Sequence, residues 1–349
     1  MYVLIYNQCI SLLPSLFISH EGIIIYHPGL VDYTINTHPL SRSIKITPTM
    51  SEYSIPTEFD NYTDLSSSVS ATIIDGHSFR NLLEYLKLTN FKGSFRFRPS
   101  DIYYEEGNAE KTLVNQFQIF PGELIEYTYD SHLPEVVFGV TISSFRDVIK
   151  TTSKKDTVQL YKVADMHDLF IRILGGTDVS GRNGVSSVTR TKLDVIDYSL
   201  PAFDDNYPLC RVRASDLSKV FGDLSSIKGS TISISRVGNG IVVKSMLVNR
   251  VVKRVESLGD TGDITNTYHD GEVISELSDG TTITYSDSNG IQPIRCRNAT
   301  IKSLSKINGL SHCGLVKIYF DDENRVIKFT CNVGSYGLLN IYIRTDPDL

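Results

Sequence analysis

The chain has 349 residues, 41% hydrophobic and 21% charged with a net charge of −6, which is enough apolar material for two domains with cores of their own. Five cysteines (Cys9, Cys210, Cys296, Cys313 and Cys331), odd in number and without a close CxxC pair, argue against a zinc site or a disulfide framework and for reduced thiols inside a cell. No apolar run approaches the roughly 18 residues of a membrane span, and the apolar residues 1–17 lack the basic start of a signal peptide.

Residues 1–69 read as an extension. Tyr2–Tyr6 and Gly22–Tyr26 are strand-like, and the Ser-, Thr-, Asp- and Asn-rich tract Thr57–Ser70 is expected to be a flexible lead-in. Met50, followed by Ser51 and Glu52, offers an alternative initiator that would leave residues 1–49 outside the translated protein.

From about residue 70 the chain is built twice to one plan. A strand (Thr72–Ile74) and a helix (Phe79–Leu88) lead into Lys92-Gly93-Ser94. A strand (Leu209–Val212) and a helix (Leu217–Ile227) lead into Lys228-Gly229-Ser230. Further on, a helix over Ser144–Lys155 precedes Val158-Gln159-Leu160-Tyr161, and a helix over 301–310 precedes Val316-Lys317-Ile318-Tyr319, with the second copy longer in between. Short alternating runs (Phe95–Phe97, Ile102–Glu105, Leu113–Phe120, Ile125–Tyr129, Val136–Ile142) fill the first copy. The pattern predicts an α+β fold of two tandem, similar domains of antiparallel sheet with two helices each. Domain one spans 70–195, and a connecting loop carrying two prolines spans 196–208. Domain two spans 209–349 with an insertion at 258–290, where Asp260, Asp263, Asp270, Glu272, Glu276, Asp279 and Asp287 occur without Lys or Arg.

Each helix carries cations opposite its apolar side: Arg80 and Lys87, with Glu84 between them; Arg146, Lys150 and Lys154; Lys219 and Lys228; Lys302 and Lys306. Residues three or four apart share a helix face. One such stripe is ordinary solvated surface, but four of them in a chain of net charge −6 suit a surface that meets a polyanion without reading bases.

Four blocks carry a family resemblance. Gly139-Val140-Thr141-Ile142-Ser143-Ser144-Phe145, continued by Val148-Ile149-Lys150, Asp156, Val158 and Leu160, resembles the first-domain helix and strand of proliferating cell nuclear antigen (PCNA), the DNA sliding clamp. Lys192–Asp197 resembles the strand entering that family's connecting loop, Phe221–Ile227 its second-domain helix, and Gly337–Ile343 its last strand. The match runs in order over roughly residues 70–345.

The resemblance implies a closed ring, usually of three identical subunits, around double-stranded DNA, with helices lining the hole and no catalysis. Arg80, Lys87, Arg146, Lys150, Lys154, Lys219, Lys228, Lys302 and Lys306 are then the DNA-facing residues. Subunits would pair through the edge strands at about 185–193 and 247–256. DNA polymerase and other clients would insert short peptide motifs between Leu200, Pro201, Ala202 and Phe203 of the loop and Tyr342, Ile343 and Arg344 of the tail, and a clamp loader would open the ring. A nuclear location follows, or a cytoplasmic replication site for a viral member. The departures are Asp147 and Gly222 at positions that are often basic in the family, the large 258–290 segment, and Thr345-Asp346-Pro347 at the tail. Such divergence is expected of a viral or protist member. A clamp-fold transcription or checkpoint scaffold that forms no sliding homotrimer is the alternative, separable by oligomeric state.

Nothing in the sequence calls for a cofactor or a metal. Gly175-Gly176 to Gly184 lacks the GK[ST] of a phosphate loop. His77, His132, His167, His269 and His312 lack metal-ligand spacing. Asp321-Asp322-Glu323-Asn324 reads as a turn, and the carboxylates of 258–290 as lying on Gly- and Ser-rich turns.

Overall fold

Alternating β-branched and aromatic residues make antiparallel strands the commonest element among the described residues. A computed structural model describes residues 67–349 apart from 131, 164–166, 176–183, 192–195, 197, 248–251, 261–264, 270–271, 277–281, 285–292 and 311–313, together with four short strands nearer the N-terminus. Those four, β1 (Ser15–Ser19), β2 (Gly22–His27), β3 (Leu30–Ile35) and β4 (Thr47–Pro48), form an antiparallel sheet within a unit Met1–Leu65. The expected strand Gly22–Tyr26 falls in β2, while Tyr2–Tyr6 lies outside the described residues.

The second unit, Ser66–Leu349, holds the repeat. Its first copy runs β5 (Ser67–Ile73), α1 (Gly76–Thr89), β6 (Lys92–Arg98), β7 (Asp101–Gly107), β8 (Leu113–Ile119), β9 (Glu126–Tyr129), β10 (Val136–Thr141), α2 (Ile142–Ile149), β11 (Thr157–Val163), β12 (Leu169–Leu174) and β13 (Gly184–Val188). The second runs β14 (Cys210–Arg213), α3 (Ala214–Ser225), β15 (Thr231–Val237), β16 (Asn239–Met246), β17 (Val252–Asp260), β18 (Thr265–His269), β19 (Glu272–Glu276) and β20 (Thr282–Thr284). It continues through β21 (Ile294–Arg297), α4 (Asn298–Ile301), a 3₁₀ segment (Lys302–Gly309), β22 (Leu315–Asp321), β23 (Val326–Val333) and β24 (Gly337–Arg344).

The sheet orders make the duplication explicit. In the first copy β6, β7, β8 and β10 form one ladder, while β5, β11, β12 and β13 form another with β9 added at its edge. In the second copy β15, β16, β17 and β21 answer the first ladder, and β14, β22, β23 and β24 the second. The copies join where β8 pairs with β24, from Leu113↔Ile343 to Gly337↔Ile119, giving one eight-stranded sheet. Across that joint a chain of side chains runs from Thr330 Oγ to Asn340 (2.7 Å) and from Asn340 Nδ2 to Gln116 (3.1 Å). It continues from Gln116 Nε2 to the Tyr103 hydroxyl (2.8 Å). The counterparts of β8 and β24 in the opposite copies are β17 and β13, and each ends its sheet.

Sequence fixes the helices through their ends. Asp75 caps α1 by accepting from the Ser78 amide at 3.0 Å, so the helix begins at Gly76, ahead of the expected Phe79. It buries Phe79, Leu82, Leu83 and Leu86, and α3 buries Leu217, Val220, Phe221 and Leu224 at the same spacing. The other helices are shorter than the sequence reading. α2 stops at Ile149, where Thr152 N bonds Ile149 O at 3.0 Å and the Asp156 carboxylate takes the Ser153 amide at 2.6 Å, so Lys154 sits in a turn. α3 stops at Ser225, because the hydroxyls of Ser225 and Ser226 bond back to Gly222 O and Asp223 O, so Lys228 also lies in a turn. The expected helix 301–310 is one α-turn followed by 3₁₀ winding, with Ser303 and Ser305 hydroxyls bonding carbonyls three residues back.

Three further expectations change. Ser67–Ser70 of the supposed lead-in belong to β5, paired to β11 with Val69 buried. The 258–290 carboxylates are not all on turns, since Glu272 and Glu276 begin and end β19 in the antiparallel sheet β18–β19–β20. The edge strands are Gly184–Val188 and Val252–Asp260 rather than 185–193 and 247–256. Burial pushes the Cys296 and Cys331 thiols up to about 12, so both stay protonated and inert at neutral pH.

Asn115, fully buried in β8, accepts from the Tyr85 hydroxyl at 2.8 Å and donates to Thr89 Oγ1 (2.8 Å) and Asn90 Oδ1 (2.9 Å), tying the end of α1 to the jointed sheet. Asn115→Ala strands these groups without solvent. It is expected to destabilise the fold by about 1–3 kcal/mol in urea unfolding followed by circular dichroism.

Candidate functional site

The helical elements form one layer on the sheets, in the order α2, α1, 3₁₀ segment, α3. Phe79 packs edge-on against Phe145 (5.7 Å between centroids), Asn81 Nδ2 donates to Gly309 O (3.0 Å), and Asn308 N donates to Ser218 Oγ (2.9 Å). Most apolar residues turn toward the sheets, and the outer side is largely polar, with Leu88 of α1 exposed. Lys87, Lys150, Lys154, Lys219, Lys228, Lys302 and Lys306 are all exposed.

The two arginines depart from the expected stripe. The Arg80 guanidinium donates to Thr152 O at 2.6 Å and its Nε is buried, so it staples α1 to the turn after α2. Arg146 lies 2.9 Å from Asp147 and 3.4 Å from Glu84. The Arg146 hydrogen bond, with Lys87 and Lys150 close by, holds the Asp147 carboxyl below its usual range. The first-copy helices therefore present lysines interleaved with carboxylates. Among the described residues no group of three or more His, Cys, Asp or Glu is placed to hold a metal ion.

The connector lies against the opposite side of the joint. Tyr198 is buried with Val114, Val326 and Tyr342, and Leu200 and Phe203 pack on this cluster. Arg344 donates to Tyr198 O (2.5 Å) and Ser199 O (2.9 Å), and the Tyr319 hydroxyl donates to Asp205 O (3.0 Å). Of the expected groove residues, Pro201 is half-exposed and Ala202 exposed. Ile343 is a correction. Strand alternation turns it into the main core, while Tyr342 and Arg344 face the connector.

Sequence reasoning missed the centre of this groove. Strand register lines up Tyr319, Lys328 and Tyr342 on β22, β23 and β24. Lys328 is 4% exposed, with Nζ 2.6 Å from Asp205 Oδ1 and 4.7, 5.5 and 6.0 Å from the ring centres of Tyr319, Phe203 and Tyr342. A lysine is almost never fully buried unless paired. No local signal marks it, since Lys328 takes the outward place between the core positions Ile327 and Phe329. Burial, with Asp205 adding to it, pushes the Tyr342 phenol up to about 12.

No known family profile matches the chain, and no curated protein matches its sequence. Solved structures do match. The PCNA2–PCNA3 complex from Sulfolobus tokodaii aligns with a TM-score of 0.57 at 14% identity, covering 79% of this chain and 98% of that one. Proliferating cellular nuclear antigen from Entamoeba histolytica gives 0.58 at 11% identity, covering 80% and 98%. The chain thus has the PCNA-type clamp fold, in a divergent sequence, as the resemblance implied.

Phe203 covers Lys328 and holds the connector to Tyr319 and Tyr342. Phe203→Ala is expected to speed amide exchange across 198–208 by about tenfold or more, measured by hydrogen exchange, while β22–β24 keep their protection.

Proposed function

We propose that this protein is a DNA sliding clamp, a processivity factor that encircles duplex DNA as a homotrimer and tethers polymerase and other clients. One observation carries the reading. The β8–β24 joint uses up one pair of equivalent edges, and β17 and β13, the other pair, end their sheets. Repeating the same antiparallel joint between copies puts β17 of one chain against β13 of the next, a head-to-tail contact that closes when the rotation allows. Beside β17 a hollow of about 490 Å³, lined by Arg211, Arg213, Lys219, Asp223, Arg254 and Glu256, gives room for a neighbour's side chains. Three copies match the rings of the family that the sequence resembles.

The helical layer suits the hole. Exposed lysines attract phosphates without base contacts, and the intervening carboxylates keep the grip weak enough to slide. The chain acts as a platform, not as an enzyme. It works where DNA is replicated, in the nucleus or, for a viral member, in the cytoplasm, and a clamp loader opens the ring.

Light scattering at micromolar concentration is expected to give three times the chain mass. A monomer alone would sink the ring and favour a clamp-fold transcription or checkpoint scaffold. The second expectation concerns DNA. Lys150→Ala with Lys306→Ala should leave the trimer mass intact. It should also flatten the salt dependence of duplex retention by about one unit of slope for each phosphate no longer neutralised. An unchanged slope would place these lysines away from the DNA.

A further inference from the structure

The connector groove holds a buried cation whose ion-pair partner comes from the connector itself. Lys328 lies on the groove floor between two tyrosine rings, and Phe203 and Asp205 of the connector close over it as a third ring and a carboxylate. That cover is open to solvent at one end, since the Asp205 side chain is 67% exposed and the neighbouring Asp204 and Asn206 are exposed, with the Tyr319 hydroxyl bonded to Asp205 O. A ligand that displaces the segment must replace both groups. A purely apolar peptide would cover Lys328 and strand its charge, which is costly in a dry site.

We propose that this groove selects an acidic peptide with an aromatic residue followed two positions later by Asp or Glu, docking in place of Phe203-Asp204-Asp205. The proposal rests on the reading that clients dock at the connector, and it adds the chemistry that they must carry. The connector is the internal template: its aromatic ring lies 5.9 Å from Tyr319 and 6.2 Å from Tyr342, and its carboxylate lies 2.6 Å from Lys328 Nζ. Specificity arises mainly by exclusion, because a peptide without the acid leaves the cation unpaired. Tyr319 and Tyr342 add a preference for a ring, since a lysine flanked by aromatic faces gains from a further one.

The probes are the synthetic peptide Leu-Pro-Ala-Phe-Asp-Asp-Asn-Tyr, which is the chain's own 200–207 sequence, and the same peptide with Asp205→Asn. Both are titrated by calorimetry against the full chain carrying Phe203→Ala and Asp205→Asn, which empties the cover, with solution mass checked against wild type. The acidic probe is expected to bind about tenfold tighter than the amide probe, as a charge-assisted bond is worth. Adding Lys328→Met should erase the difference. The comparison of the two probes needs only the Lys328-containing chain, so a poorly folding Lys328→Met does not blunt it. Equal binding of both probes overturns the acidic preference and leaves connector docking standing. Binding of neither, at unchanged solution mass, overturns the docking reading and this inference together.

Discussion

The antiparallel joint between β8 and β24 is the contact on which the rest of the second unit depends. It ties two copies of one topology into a single eight-stranded sheet. Because both copies keep the same strand order, the joint brings their helices onto one side as a continuous layer. It also sets the connector on the other side, over the row Tyr319, Lys328, Tyr342 and Val114. Both candidate sites are therefore properties of the joint rather than of either copy alone. The buried Asn115 network and the chain from Thr330 to Gln116 fix its register on its two faces.

Charge is distributed around that frame in two ways. On the helical layer the lysines are solvated and interleaved with Glu84, Asp147 and Asp216, so solvent screens their charges and each contact is weak. Under the connector a single lysine is withdrawn from water and satisfied by one carboxylate and a set of ring faces. The same residue type is thus hydrated on one side of the molecule and withdrawn from water on the other, and solvent exposure sets how strongly its charge interacts.

The duplication, the antiparallel character and the four helical segments were legible because periodicity and the repeated Lys-Gly-Ser triplets are local signals. What escaped the sequence reading depends on long-range register or on competition at helix ends. Ser303 and Ser305 look like tolerable helix residues, yet their hydroxyls take carbonyls from the α-ladder. Arg80 and Arg146 read as solvent-facing, but Thr152 O, Glu84 and Asp147 are brought to them by tertiary packing. Lys328 is an ordinary polar residue in its strand until two flanking strands put tyrosines beside it. Ile343 and Tyr342, adjacent in sequence, fall on opposite faces, so a segment-level match named both although of the two only Tyr342 faces the connector.

The joint also has a consequence for how the chain is made. Gln116 and Asn340, bonded across it, are 224 residues apart in sequence. Of the described strands, the last to leave the ribosome is the one that seals the first copy. Until β24 arrives, β8 is a bare edge with its backbone donors and acceptors open to any passing strand. Most of the molecule must therefore wait for β24 before its sheet is complete, and loop-closure entropy makes that step slow. In a nascent chain of this design β8 stays open to mispairing until the last described strand is made.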